Sequence, residues 1–98
     1  MVESSGLVER VAQAMGVDKE EVVLKSVNEL ILSELRRLYS ESISVKQRYG
    51  VASSKEFDDL YREGRLDEED TWRDYFRLSH LEERIAVLED ILSETSIE

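Results

Sequence analysis

The stretch from Asp18 to Tyr49 contains no proline and no glycine, and it constrains the fold more than any other part of the chain. Glu21 follows Asp18 by three residues, which is the spacing of a capping box at a helix start. Gly50 follows Tyr49, and glycine readily adopts the left-handed conformation that ends a helix. About 32 helical residues span roughly 48 Å. Because a compact domain of this size is narrower than that, the stretch predicts a long helix that packs against other helices, a second copy or another protein.

The composition indicates a small, folded, helical protein. The chain has 98 residues, of which 41% are hydrophobic, and it contains no cysteine. Disulfides and thiolate metal sites are therefore excluded, and no apolar run is long enough for a membrane span. Residues 1–3 lack the basic and apolar segments of a secretion signal, so we expect a cytoplasmic protein. The 37% of charged residues, with one Asn and two Gln, is typical of thermophile proteins.

The net charge of −10 is unevenly distributed. Residues 1–50 carry seven basic and eight acidic side chains, whereas residues 51–98 carry six basic and fifteen acidic ones. Such a C-terminal half repels nucleic acid and attracts basic partners, although a solvated helical surface has the same composition.

Residues 5–15 predict a first helix, which Gly16 ends. Its apolar stripe consists of Leu7, Val8, Val11 and Met15. A short turn then leads into the long helix, predicted at 18–49, so the two form an αα-hairpin.

The first half of the long helix is apolar on nearly all sides, which the first helix alone cannot cover. We therefore expect a homodimer, and the predicted dimer interface consists of Val23, Val27, Leu30, Ile31 and Leu35. The apolar face of the second half narrows to Leu35, Leu38, Val45 and Tyr49. A heptad seam through Leu24, Ile31, Leu38 and Val45 runs along both halves. In residues 40–45, serines alternate with Ile43 and Val45. This period of two is typical of a strand, so these residues are where the long helix could kink.

Two further helices are predicted at 54–63 and 68–93, followed by a tail at 94–98. The first is predicted to start at a capping box of Ser53 and Glu56. It presents Phe57, Leu60 and Tyr61 on one face and stops at Gly64. Asp67 is placed to cap the second, whose seam is Leu78, Leu81, Ile85, Leu88 and Leu92. The expected fold is a single all-α domain of residues 1–98. It has an N-terminal αα-hairpin, one long helix, a short linking helix and a long antiparallel C-terminal helix in a helical-bundle dimer.

No group of residues predicts catalysis, a cofactor or a metal site. His80 is the only histidine, and the sequence places no residue to orient its side chain for catalysis. Adjacent acidic residues on a helix diverge by about 100°, so the acidic pairs do not converge on a metal. The four glycines fit helix ends rather than a phosphate-binding loop. The protein is therefore predicted not to be an enzyme.

The aromatic cluster of Trp72, Tyr75 and Phe76 admits two interpretations. Exposed aromatic residues often anchor protein partners. Ordinary core packing is the alternative, and we favour it for Phe76 and the Trp72 ring.

In the spacing of their apolar residues, the first fifty residues resemble the two helices of ribbon-helix-helix repressors. Those proteins carry a base-reading strand before the first helix. Residues 1–5 are too short for one and lack basic or amide side chains. DNA binding by this chain alone is therefore the third of three functional hypotheses.

Residues 45–80 resemble small, mostly archaeal all-α proteins associated with the antitoxin side of toxin–antitoxin cassettes. The resemblance is carried by Tyr49-Gly50-Val51, Ser54, Glu56-Phe57, Leu60-Tyr61, Gly64, the following acidic run, Trp72 and Asp74-Tyr75-Phe76. It implies a protein that binds and neutralises a small basic toxin, often a ribonuclease. The chain departs from DNA-binding antitoxins because it has no recognisable operator-reading module.

The leading hypothesis is thus a non-enzymatic, antitoxin-like protein that binds a basic partner. The predicted partner-binding residues are Tyr61, Asp67, Glu68, Glu69, Asp70, Trp72 and Tyr75. The alternative is a structural or adaptor homodimer without a toxin partner.

Overall fold

The computed structural model describes residues 4–95 as four helices and confirms the all-α fold. The helices are α1 (Ser4–Met15), α2 (Lys19–Tyr49), α3 (Ser54–Arg62) and α4 (Glu68–Thr95). The predicted tail at 94–98 is partly wrong, since Glu94 and Thr95 belong to α4. The rest of that tail and the first three residues lie outside the described part of the chain.

Helices α2 and α4 lie side by side and antiparallel, as predicted. The Thr95 hydroxyl donates to Asn28 Oδ1 at 3.2 Å near one end of the pair. Near the other end, Arg48 Nη1 donates to Asp74 Oδ2 at 3.2 Å, and the Tyr49 hydroxyl donates to the same carboxylate. The start of α2 therefore lies beside the end of α4.

The heptad seam of α2 faces α4. Ile31, Leu38 and Val45 are buried, and so are Leu35 and Ser42 in the neighbouring column. Helix α2 continues through residues 40–45, so the strand-like alternation there does not interrupt it. Ser42 occupies a core position although it is polar, since it is only 2% exposed.

Helix α3 folds into the corner between the end of α2 and the start of α4. Phe57 is 0% exposed and clusters with Val45, Val51 and Leu78. Five partly buried residues surround this cluster: Tyr49, Leu60, Tyr61, Leu66 and Tyr75. We call this part of the molecule the aromatic end. The region formed by α1, the first half of α2 and the last turns of α4 is called the open end.

The helix ends combine predicted and unpredicted contacts. Gly16, Gly50 and Gly64 all have positive φ angles, and the Gly50 N–H donates to the Lys46 carbonyl as a helix end requires. The predicted capping boxes are wrong, because neither the Asp18 nor the Ser53 side chain makes a capping hydrogen bond.

The start of α3 is instead capped by a residue of α4. The Ser54 backbone N–H donates to Glu82 Oε2 at 2.9 Å, and the Ser54 hydroxyl donates to Glu82 Oε1. Glu56, the other half of the predicted box, accepts the Ala52 N–H at 2.6 Å. These contacts fix α3 against α4.

The molecule is long and flat. Its radius of gyration is 19.6 Å, whereas a compact domain of this length has about 13 Å. The principal extents are 61 × 33 × 17 Å. Among the helices of residues 4–95, none combines the length and the apolar character that a membrane crossing requires.

Candidate partner-binding surfaces

The start of α4 is organised by Asp67. The Glu69 N–H donates to Asp67 Oδ1 at 2.9 Å, and the Thr71 hydroxyl donates to the Asp67 carbonyl at 2.8 Å. The prediction that Asp67 caps this helix is therefore confirmed. Its Oδ1 is therefore engaged at the helix start, while the exposed carboxylate still contributes negative charge to the surface.

The three acidic residues after Asp67 are exposed and lie on different sides of α4. Glu69 precedes Phe76 by seven residues, so the two lie on the same face of the helix. Glu68 lies four residues before Trp72 and is its neighbour. Asp70 projects toward the opposite flank. The structure thus brings Glu68 and Glu69 together with the exposed aromatic residues and leaves Asp70 apart.

Trp72 and Phe76 form an exposed aromatic pair on the outer face of α4. Their ring centroids are 5.9 Å apart and nearly perpendicular, at 77°. The exposed fractions are 43% for Trp72 and 60% for Phe76. The prediction that Phe76 and the Trp72 ring belong to the core is therefore wrong, because the buried seam of α4 runs along the opposite side of the helix.

Tyr61 and Tyr75 lie inside the aromatic end rather than on this surface. Each is partly buried, and their rings pack 6.1 Å and 5.8 Å from Phe57, respectively. The Tyr61 hydroxyl shares a 2.7 Å hydrogen bond with the Thr71 hydroxyl. Burial, and then the negative charge of Asp58, raise the pKa of Tyr75. These two tyrosines support the surface from within, whereas Trp72 and Phe76 form it.

A continuous series of aromatic contacts connects that surface to the core. Phe57 contacts Tyr75, whose ring lies 5.3 Å from Phe76, and Phe76 contacts Trp72. The Arg73 guanidinium lies 5.3 Å from the centre of the Trp72 ring. Since Phe57 is fully buried, the exposed pair rests on a rigid base.

The open end carries a second, mainly apolar surface. A groove of about 570 Å³ runs along α1 and α2, with Val11, Met15 and Leu30 among its lining residues. Leu30 is 71% exposed, and Val23 and Val27 are also exposed.

Only three of the five predicted dimer-interface residues are therefore on the surface. Ile31 and Leu35 are buried within the chain, on the side of α2 that faces α4. Sequence periodicity could not separate them from Leu30, because the apolar residues of this half surround the helix. The groove residues of α1, Val11 and Met15, were missing from the predicted interface, although both belong to the predicted apolar stripe.

A smaller groove between α2 and α4 is lined by both polar and apolar side chains. It has a volume of about 390 Å³, and Ser42, Lys46 and Glu82 contribute to its wall. The nearby Tyr39 hydroxyl donates to Glu89, and this hydrogen bond raises the pKa of Tyr39. His80 is exposed on α4. Across residues 4–95, no three histidine or acidic side chains are arranged to hold a metal ion.

Comparison with known protein families matches residues 1–98 to the uncharacterized protein MJ0235 family. The match covers the whole chain, so the protein belongs to this family. No curated protein matches the sequence, and no solved structure matches the fold.

Proposed function

We propose that this member of the MJ0235 family is a non-enzymatic protein that binds a basic partner protein through the start of α4. The observation that carries the proposal is the exposed pair of Trp72 and Phe76 on the strongly acidic half of the chain. An aromatic anchor supplies apolar area that a partner can bury, and the surrounding carboxylates select the sign of the partner's charge.

The two components act at different stages of binding. Glu68 and Glu69 attract a basic surface over distances of about 10 Å at ordinary ionic strength, and salt weakens that attraction. Trp72 and Phe76 contribute once water has left the contact, and their contribution depends little on salt. The rigid base of Tyr75 and Phe57 limits the conformational entropy lost on binding, because the rings are already positioned.

The antitoxin-like form of this proposal is supported by the resemblance of residues 45–80. In that form the partner is a small basic toxin, and neutralisation consists of covering its active surface. The acidic balance of residues 51–98 supports a basic protein over nucleic acid as the partner.

The experiment is co-expression and co-purification with the product of a neighbouring gene that encodes a small basic protein. A complex is expected, together with relief of any growth arrest that the neighbour causes. Trp72→Ala is expected to weaken binding by at least about 30-fold, because a central aromatic anchor contributes about 2 kcal/mol or more. Val87→Ala removes an exposed apolar side chain farther along α4 and serves as the matched control.

The electrostatic component has its own pair of variants. Glu69→Lys and Glu20→Lys change the net charge equally, and both glutamates are exposed. Glu69→Lys is expected to weaken binding more at low salt than at high salt, whereas Glu20→Lys leaves it nearly unchanged. Equal effects of the two variants would assign the attraction to net charge alone. The absence of a complex would contradict the proposal and favour the adaptor homodimer.

A further inference from the structure

We infer that the open end is an interface for a second copy of this chain, which covers the face of α1 and α2 formed by Val11, Met15, Val23, Val27 and Leu30. We call these five residues the open face. The inference concerns a surface other than the proposed partner site, and it does not depend on the proposed function.

The pattern along the two helices changes at the open end. On one side of the α2–α4 pair, Arg77 lies 3.7 Å from Glu41, and Arg84 lies 3.8 Å from Glu34. Successive pairs are seven residues apart on each helix, which keeps them on one side of the pair. The next position in this series is Val27 on α2, seven residues before Glu34, and Ile91 on α4, seven residues after Arg84.

Val27 and Ile91 are both exposed and apolar. In the middle of the molecule, charged side chains occupy this side of the helix pair. Apolar side chains occupy the same side where α1 begins to flank α2. Solvent-facing positions of a monomer have no need for this replacement. It is the pattern expected where a further protein layer covers the helices.

The exposure of apolar residues shows that no helix of this chain supplies the layer. The molecule as a whole is flat, with a shortest extent of 17 Å. Domains are generally built from two packed layers around one core. At the open end this core is incomplete, since Leu30 and Met15 are largely exposed.

Charge favours a second copy over a basic partner as the occupant. Two chains with a net charge of −10 repel each other, so they associate only where local charge is balanced. The charged groups along the groove are Lys25, Glu29 and Arg36, and Glu29 is already paired with Arg36 at 3.2 Å. A basic partner has no net negative charge to bind here, whereas a second copy meets an apolar surface without electrostatic penalty.

The open end is wide enough for a dimer interface. A specific interface buries about 800 Å² on each partner, and half of the 61 × 33 Å outline of the molecule exceeds this, so the interface would include polar residues around the five apolar ones. A two-fold arrangement uses the same patch on both copies, so each open face covers the other. The exposed pair on α4 lies at the opposite end of α2 and stays accessible.

Sedimentation equilibrium of the full chain at micromolar concentration tests the inference. The wild type is expected at twice 11.4 kDa. Leu30→Asp is expected at 11.4 kDa, because the new carboxylate would be buried in the interface without a partner. Ile43→Asp is the matched control, since Ile43 is an exposed aliphatic residue of the same helix outside the open face, and it is expected to stay dimeric.

A monomeric wild type would overturn the inference, and so would a dimer that survives Leu30→Asp. Thiol labelling covers the case in which Leu30→Asp unfolds the chain. Because the natural sequence has no cysteine, Leu30→Cys and Ile43→Cys each introduce a single thiol. The thiol of Leu30→Cys is expected to react slowly and to react faster on dilution, whereas that of Ile43→Cys reacts quickly at every concentration. Equal, concentration-independent rates would contradict the inference.

Discussion

The two ends of this molecule contain similar amounts of apolar sequence but use it differently. At the aromatic end, three helices converge on Phe57, and Leu38, Val45 and Leu78 are almost completely buried nearby. At the open end, helices of the same kind leave Leu30 and Met15 on the surface. The difference arises because α3 closes one end of the α2–α4 pair, whereas α1 contacts α2 at the other without completing a core.

Burial along α4 shows the same gradient. Leu78 and Leu81 are buried, whereas Ile85, Leu88 and Leu92 of the same seam are only partly buried. Local stability follows buried apolar contacts, so the aromatic end is expected to be the last part to open. The aromatic end therefore contains most of the buried core, whereas the open end leaves large apolar side chains exposed.

The sharpest test of this comparison is the same substitution at a buried and at an exposed phenylalanine. Phe57→Ala is expected to lower the free energy of unfolding by about 3–5 kcal/mol, because it leaves a cavity in the core. Phe76→Ala is expected to change it by no more than about 1 kcal/mol, since Phe76 is largely exposed. Chemical denaturation at one fixed protein concentration measures both. Similar losses would show that the exposed pair on α4 is part of the core.

A smaller effect is expected from the contact that holds α3 to α4. Glu82→Ala removes the acceptor of two hydrogen bonds from Ser54 and is expected to cost about 1–2 kcal/mol. Glu83→Ala removes an exposed neighbour and serves as the control. Hydrogen exchange of the α3 amides is the direct measurement. Unchanged protection of α3 in Glu82→Ala would mean that apolar packing alone fixes this helix.

The smallest effect is a dependence of stability on alkaline pH at the aromatic end. The hydrogen bond to Asp74, followed by burial, raises the pKa of Tyr49 above its usual 10.0. A group whose folded-state pKa is raised contributes stability below its unfolded pKa and loses that contribution as pH rises through the folded value. The contribution of Tyr49 is therefore complete below about pH 10 and disappears above it.

Tyr49→Phe is expected to lower the free energy of unfolding by about 1 kcal/mol at neutral pH and to flatten its alkaline decline. Denaturation across the alkaline range measures both, with the tyrosinate absorbance following ionisation. An alkaline decline equally steep in the variant would assign it to other groups, among them Tyr39 and Tyr75, whose pKa values are also raised.

The fold could be predicted from the sequence because its signals are local and periodic. Gly16, Gly50 and Gly64 interrupt apolar repeats of helical period, and each has the left-handed backbone expected of it. The heptad seam of α2 identified the side that faces α4. Asp67 is recognisable as a cap because its contact is with the backbone two residues later, in the first turn of its own helix.

The errors concern contacts between distant parts of the chain. Glu82 caps α3 across 28 residues, and no pattern within α3 indicates this. The exposure of Trp72 and Phe76 depends on which side of α4 meets α2, and both sides of α4 carry apolar residues. For the same reason, Ile31 and Leu35 could not be separated from Leu30 before the packing of α2 was known.

Because α2 is one continuous helix, it fixes the distance between the two ends of the molecule. Thirty-one residues form one helix that spans roughly 46 Å, and no proline or glycine interrupts them. The proposed partner site and the open face are thus separated by a stiff spacer, so their separation is nearly constant rather than a broad distribution. In a dimer joined at the open ends, the two partner sites would stand at a fixed spacing. A target with matching spacing would then gain avidity from its second contact, whereas one with the wrong spacing would gain none.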